Sequence, residues 1–336
     1  MARPEGTMSG GGCVRASLLV MLLLGVLPPT PATKIDPLMQ FQLERPNDEE
    51  PFSFGLRRSR FAIEEDLGKR RSLSIEVKVR PDDVELLDGY VEAEILEGFE
   101  IQLGRFKKPF SRGALIASSK LRTTERDIVY DLFGANNQEF AAPKGESDYV
   151  GRDEGLMFRW SRSWASRAIE IELAAMNGQG PKNEDDDDEK QWISRSAFRL
   201  GEGLSCGAGL NWARSSTHGN GFAWEVDLSL EWRSLSIWGE WLAADNRLTG
   251  TDMTGSTVEG ALDWRGVVPG IRASRIDPDR DVLYNALWEW TPFVGIRVWK
   301  GSALIAEFTH LSRAKAPGDR SDATTDRIVL AWRFTP

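Results

Sequence analysis

Phe222, Trp224, Val226, Leu228, Leu230 and Trp232 alternate with Ala223, Glu225, Asp227, Ser229 and Glu231. A period of two is the signature of a strand with one apolar and one ionic face. Its length matters more than its period, because a soluble sandwich alternates as well. Strands of globular proteins usually run about 5 or 6 residues, whereas about 9 to 11 tilted residues cross a bilayer. Segments of comparable length recur from 52–63 to 326–334, including neighbours at 282–290 and 292–300, and they number about sixteen, the count expected of a large barrel. The expected fold is therefore all-β: a transmembrane antiparallel β-barrel of about 16 strands, closed because hydrocarbon leaves an unpaired strand edge unsolvated.

The N-terminus has the grammar of an export signal. Arg3 and Arg15 precede the apolar block Ala16–Leu27, and Pro28, Pro29, Thr30, Pro31 and Ala32 follow it. The block is about 12 residues long against the roughly 20 of a spanning helix. Cys13 lies before it, where a lipoprotein cysteine would follow it. The expected organisation is a signal peptide at 1–32, a lead-in at 33–51, and the barrel over 52–336 with an infolded loop around 109–150.

Composition narrows the function. The chain carries 51 acidic and 42 basic side chains, a net charge of -9, which disfavours a nucleic-acid partner. Two His and two Cys leave little for catalysis or metal binding, and no cofactor is expected. The acidic tract Asn183–Glu189 lacks the Gly and terminal Glu of a calcium loop and reads as a solvated loop. The 13 Trp suit aromatic girdles at the lipid headgroups.

The final strand, Arg327–Phe334, puts Ile328, Leu330, Trp332 and Phe334 on one face and resembles the C-terminal recognition strand of outer-membrane barrels, with Thr335 and Pro336 added beyond it. Between Leu87 and Gly180 five short motifs occur in order: Leu87-Asp88-Gly89-Tyr90-Val91, Gly104-Arg105-Phe106-Lys107-Lys108-Pro109-Phe110, the Glu125-Arg126 pair, Gly151-Arg152-Asp153-Glu154-Gly155-Leu156, and Met176-Asn177-Gly178-Gln179-Gly180. In this order they resemble the phosphate-selective porin O and P family. The resemblance implies a sixteen-stranded outer-membrane channel, commonly trimeric, whose infolded loop and wall carry basic side chains that select phosphate or related anions.

From Arg105 to Arg126 stand Arg105, Lys107, Lys108, Arg112, Lys120, Arg122 and Arg126, with Glu125 the one acid. Spaced cations in a pore of low-dielectric wall concentrate anions and hand phosphate oxygens from donor to donor, so these seven are the expected pore and anion-binding residues. The same side chains would also suit lipid headgroups and lipopolysaccharide phosphates. The inferred inward faces are rich in acids, Glu76, Asp88, Glu92, Glu94, Glu170, Glu172, Glu225, Asp227, Glu231 and Glu307, offset in part by Arg159, Arg297, Arg327 and Arg333.

The expected function is passive diffusion of small hydrophilic solutes, with phosphate-like anions, outer-membrane lipid and lipopolysaccharide as partners, a homotrimeric assembly, and no catalysed reaction. Two alternatives stand beside it. One is a secreted, soluble β-sandwich that binds carbohydrate on Trp224, Trp232, Trp238, Trp241, Trp288, Trp290 and Trp299. The other is an outer-membrane barrel serine hydrolase, since Gly203-Leu204-Ser205-Cys206-Gly207 fits the nucleophile-elbow pattern and His218 or His310 could serve as base. Alternation continues past that motif through Ala208, Leu210 and Trp212, which argues for strand rather than elbow.

Overall fold

In a computed structural model of the chain, the described residues are 33–47, 49–80, 83–134, 149–178, 188–214, 220–245, 251–314 and 324–335. The expected signal peptide, most of the acidic tract and His218 lie outside them.

Sixteen strands form one closed antiparallel barrel in which every strand pairs with its neighbours in sequence. They are β1 (Thr33–Arg45), β2 (Ser53–Asp66), β3 (Arg71–Arg80), β4 (Asp83–Leu96), β5 (Phe99–Lys107), β6 (Arg152–Trp164), β7 (Arg167–Met176), β8 (Gln191–Leu200), β9 (Leu204–Ala213), β10 (Gly221–Trp232), β11 (Leu235–Asp245), β12 (Asp252–Leu262), β13 (Val267–Asp277), β14 (Leu287–Trp299), β15 (Ser302–Arg313) and β16 (Thr324–Phe334). Closure runs through Met39–Arg45 of β1 against Ile328–Phe334 of β16.

The two ends of the barrel differ. At one, turns of two to four residues join β2 to β3, β4 to β5, and so on to β14 and β15, and there β1 starts and β16 stops. Gly98 shows how tight these turns are: its φ is +73° and a Cβ there would lie 2.3 Å from the Ser161 carbonyl oxygen. Most connections at the other end are longer, including the stretch between β5 and β6 that holds helices α1 (Arg112–Leu115) and α2 (Ile128–Phe133). In outer-membrane barrels short turns face the periplasm and long loops the exterior.

The polarity is inside-out. Trp224, Leu228 and Trp332 are 39%, 55% and 43% exposed on the outer face, while Glu225 and Asp227 are 1% and 6% exposed on the inner one. Trp192, Trp212, Trp224, Trp241 and Trp288 ring the long-loop end, and Trp164, Trp232, Trp264, Trp299 and Trp332 the short-turn end. Between them lie Val226, Val258, Ile271, Leu304 and Leu330, also exposed, so the outside is an oily belt between two aromatic girdles. One continuous cylinder with an apolar exterior overturns the soluble sandwich.

Three local expectations need correction. Residues 33–45 are strand β1 and not part of a lead-in; Pro37 argues against a strand there, but it falls before Met39, where pairing with β16 begins, so that side has no ladder to break. The segments at 282–290 and 292–300 contain one strand, β14, with 282–286 in the connection before it; the strand carries Pro292 where the ladder to β15 skips from Trp290 to Phe293 while pairing to β13 continues. The missed strand and the divided one cancel in the count. Trp238 points inward, 7% exposed, and its Nε1 donates to Glu259 at 3.2 Å, so it belongs to no outer aromatic surface.

Candidate pore constriction

The chain from Lys108 to Gly134 runs inside the barrel, because inward side chains on both sides of the cylinder hold it. Ser111, with φ +66°, turns the backbone and caps α1, its Oγ accepting from Ala114 N at 3.2 Å. Glu240 of β11 then accepts from Ser111 Oγ and Gly113 N, each at 3.0 Å. A Cβ at 113 would stand 2.5 Å from Glu240 Oε1, so a larger residue there would displace the carboxylate that holds the loop.

Farther along, Glu307 of β15 accepts from Thr124 N at 2.7 Å and from its hydroxyl. Arg272 of β13 donates to Thr123 Oγ1 at 2.7 Å and to the carbonyls of Glu125 and Arg126 at 2.9 and 3.4 Å. Arg333 of β16 donates to the Leu121 and Thr123 carbonyls, and Arg58 of β2 to that of Thr124. Asp127 caps α2, accepting from Tyr130 N at 2.9 Å. Val129 and Phe133 of α2 then lie over Gly255 of β12, where a Cβ would meet them at 2.7 and 3.0 Å. Together with Phe106, Phe110, Leu132 and Tyr149 they make the apolar core, which therefore lies inside the barrel.

Most of the seven cations expected to line the pore are engaged in this seating. Lys107 donates to the carbonyls of Ala114, Leu115 and Ile116 at 2.8, 3.2 and 3.1 Å, at the end of α1. Lys108 is fully buried, 3.5 Å from Asp153. Arg126 donates to the carbonyls of Gly113 and Ile116 and stacks 4.7 Å from the Tyr130 ring centroid. Arg122 lies 3.1 Å from Glu259, and Arg112 3.5 Å from Asp227. Lys120 is exposed, and Arg105 is half-buried on β5 opposite Gly89 and Glu154. Four of the seven, Arg112, Lys120, Arg122 and Arg126, come together with Trp238 around a cavity of about 260 Å³ between loop and wall.

A second group of cations, absent from that expectation, stands on the wall facing the loop. A cavity of about 480 Å³ is lined by nine basic and five acidic side chains, with Arg57, Arg58, Arg60, Lys78 and Arg80 supplied by β2 and β3. Gln40 pairs with Arg58 and Phe41 with Leu56, so Arg57 is the extra residue of a β-bulge. The bulge brings two successive arginines to the same carboxylate, Glu125: Arg57 through Nε, and Arg58 through Nη2 at 2.6 Å. Burial would push the Glu125 carboxyl up, but Arg58 and Arg57 hold it down at about 2, so it stays ionised at neutral and mildly acidic pH. Arg60 lies opposite Lys78 in register and 3.3 Å from Glu76, and no ion pair among the described residues includes Lys78. The signal for these cations was the inward parity of Arg58 and Arg60 on β2 and of Lys78 and Arg80 on β3; only strand register joins them.

The wall is also less acidic in effect than its inward faces suggest. Arg195 pairs with Glu225 and Asp227, and Arg272 with Glu289 at 2.9 Å. Arg152 reaches Asp88 and Glu76 at 2.8 and 3.0 Å. Arg159 reaches Glu92, Glu100 and Glu172 at 3.1, 3.1 and 3.0 Å, and Arg327 reaches Glu44 at 2.6 Å. Arg152, Arg195 and Arg272 therefore join the expected counter-charges. Arg297 serves instead at a short turn, 2.7 Å from Asp263, and Arg333 in seating the loop.

Ser205 lies within β9, its hydroxyl 2.6 Å from that of Ser229 on β10, so 203–207 forms no strand–turn–helix elbow. His310 sits toward the other end of the barrel, on β15, with Nδ1 2.6 Å from Asp326.

No family model and no curated protein matches the sequence. Solved structures do match the fold. An anion-selective porin from Comamonas acidovorans superposes with a TM-score of 0.65 at 12% identity, over 90% of this chain and 99% of that one. OprB of Pseudomonas putida gives 0.62 at 11% identity, over 96% and 97%. The outer membrane channel DcaP of Acinetobacter baumannii gives 0.60 at 9% identity, over 90% and 97%. The chain thus has the fold of outer-membrane porins.

Proposed function

We propose that the chain is an outer-membrane channel for passive diffusion of small hydrophilic solutes, that it favours anions, phosphate among them, and that it catalyses no reaction. The observation that carries this is the group Arg57, Arg58, Arg60, Lys78 and Arg80 on a water-facing wall opposite a firmly seated inner loop. Fixed cations beside a narrow aqueous path raise the local anion concentration and offer charge-assisted donors to phosphate oxygens. The guanidinium groups of Arg57 and Arg58 are committed to Glu125 of the loop. Arg60 and Arg80 share their charge with wall carboxylates, Glu76 at 3.3 Å and Asp83 and Glu85 at 3.7 and 3.5 Å, and together with Lys78 they are the cations, on adjacent strands, that passing anions meet. Spaced contacts permit release as well as capture. The motif resemblance across 87–180 supports phosphate as the anion class and a trimer as the assembly, and the exposed belt supports contact with lipid and lipopolysaccharide.

The test is recording in planar bilayers under a salt gradient, with phosphate added as competitor. The expected result is discrete conductance steps, a zero-current potential of the anion-selective sign, and a chloride current that phosphate reduces. Absence of steps, or cation selectivity that phosphate leaves unchanged, contradicts the proposal.

A further inference from the structure

The wall that carries the basic group changes sign along its length. On β2, Arg57, Arg58 and Arg60 are followed by Glu64 and Asp66; on β3 the basic Lys78 and Arg80 end the strand; on β4 the lower half carries Glu92 and Glu94. The basic members line the cavity toward the long-loop end. A separate cavity of about 420 Å³ toward the short-turn end is lined by five acids, Glu64, Asp66, Glu92, Glu94 and Glu100, against the three basic residues Lys34, Arg70 and Arg71. Of these three, Lys34 lies 2.6 Å from Asp36, outside that set, and Arg70 lies 3.3 Å from Glu94. One further cation, Arg159, is divided among Glu92, Glu100 and Glu172.

We infer that the wall formed by β2, β3 and β4 is a fixed charge junction, basic toward the long loops and acidic toward the short turns, so that the open channel rectifies ionic current. This rests on the diffusion-channel reading above and goes beyond it, since an anion filter of one sign needs no acidic half. Arg60 and Glu64 are four residues apart on one strand, about 13 Å at about 3.3 Å per residue. The screening length is about 10 Å at 0.1 M salt and about 3 Å at 1 M. At the lower concentration each zone holds its own counter-ions and the two still meet; at the higher, salt erases both.

Direction follows from the sign of the zones. With the short-turn side positive, anions are drawn from the long-loop mouth through the basic half and cations from the short-turn mouth through the acidic half. Both species accumulate at the junction and conductance is high. The opposite polarity draws both away and depletes it.

The experiment is single-channel current against voltage in symmetrical 0.1 M and 1 M KCl. Insertion side is marked by a bulky impermeant maleimide on Asn47→Cys, in the connection between β1 and β2. The expected result is a ratio of currents at opposite polarities of about two or more at 0.1 M, larger with the short-turn side positive, falling toward one at 1 M. Glu64→Gln/Glu92→Gln/Glu94→Gln should remove most of the asymmetry while leaving an open channel, and Lys78→Met, from the other half, should also reduce it. A linear wild-type curve at 0.1 M overturns the junction while sparing the channel. So does asymmetry that survives both variants, which a tapered pore of single sign would give. Loss of all conductance in the wild type overturns the channel reading itself.

Discussion

Replacing Arg60, Lys78 and Arg80 together by glutamate is expected to turn the channel, proposed above to favour anions, into one that favours cations. These three line the wall cavity, and none of them holds the inner loop. Reversing them changes the fixed charge of one short stretch of wall by six elementary charges while the loop seat, built on Arg58, Arg272 and Arg333, stays intact. Unit charges about 4 Å apart interact by about 1 kcal/mol in bulk water and about 4 kcal/mol near a protein surface. A tenfold change in the anion-to-cation permeability ratio requires only about 1.4 kcal/mol. The expected change is therefore at least tenfold, read as a reversal in the sign of the zero-current potential. The matching reversal at Arg112, Lys120 and Arg122 probes the loop side in the same way, because Arg112 and Arg122 face Asp227 and Glu259 much as Arg60 and Arg80 face Glu76 and Glu85. Unchanged selectivity in the wall variant would move the filter elsewhere.

Removing Arg272 should open the pore. Its guanidinium joins Glu289 on one side to Thr123, Glu125 and Arg126 of the loop on the other. Arg272→Ala leaves the Glu289 carboxylate without its ion-pair partner and withdraws three donor contacts from the loop, and breaking a buried pair in this way costs about 3–5 kcal/mol. The barrel has sixteen ladders independent of that contact, so the expected damage is to the loop and not to the cylinder. Single-channel conductance should rise by about twofold or more and become noisy, with heat-modifiable gel mobility retained. Wild-type conductance in this variant would show that the loop does not limit the passage.

The architecture was legible because a bilayer asks for the same few features in every strand. Alternation over ten residues, aromatics at strand ends and small turn residues all appear locally in the chain, and they led to a closed barrel even where single strands were misjudged. Pro37 and Pro292 sit in strands for a shared reason: a proline breaks a ladder only where a partner needs its missing N–H, and partner positions are not local information. The site was harder. Seven cations in one run drew attention to 105–126, yet a run that must be held inside a barrel spends its charges on carbonyls and carboxylates, as Lys107, Lys108 and Arg126 do. The wall group is dispersed over β2 and β3 and is assembled by the pairing of Arg60 with Lys78, and by a bulge at Arg57 that shifts parity by one. Residue type alone puts Trp238 among the surface tryptophans, whereas its strand parity, shared with Glu240 and Leu242, and its register opposite Ser229 both turn it in.

The most direct test is a cysteine scan of β10 from Phe222 to Trp232 in protein reconstituted into lipid vesicles, each site spin-labelled and its collisions with oxygen and with a water-soluble nickel complex compared. Oxygen should dominate at 224, 226, 228 and 230 and fall at 225, 227 and 229, which face the inner side, alternating residue by residue. If 224 and 228 are shielded from both probes while 225 and 227 meet bulk water on the outside, the cylinder is not inside-out and the account is wrong.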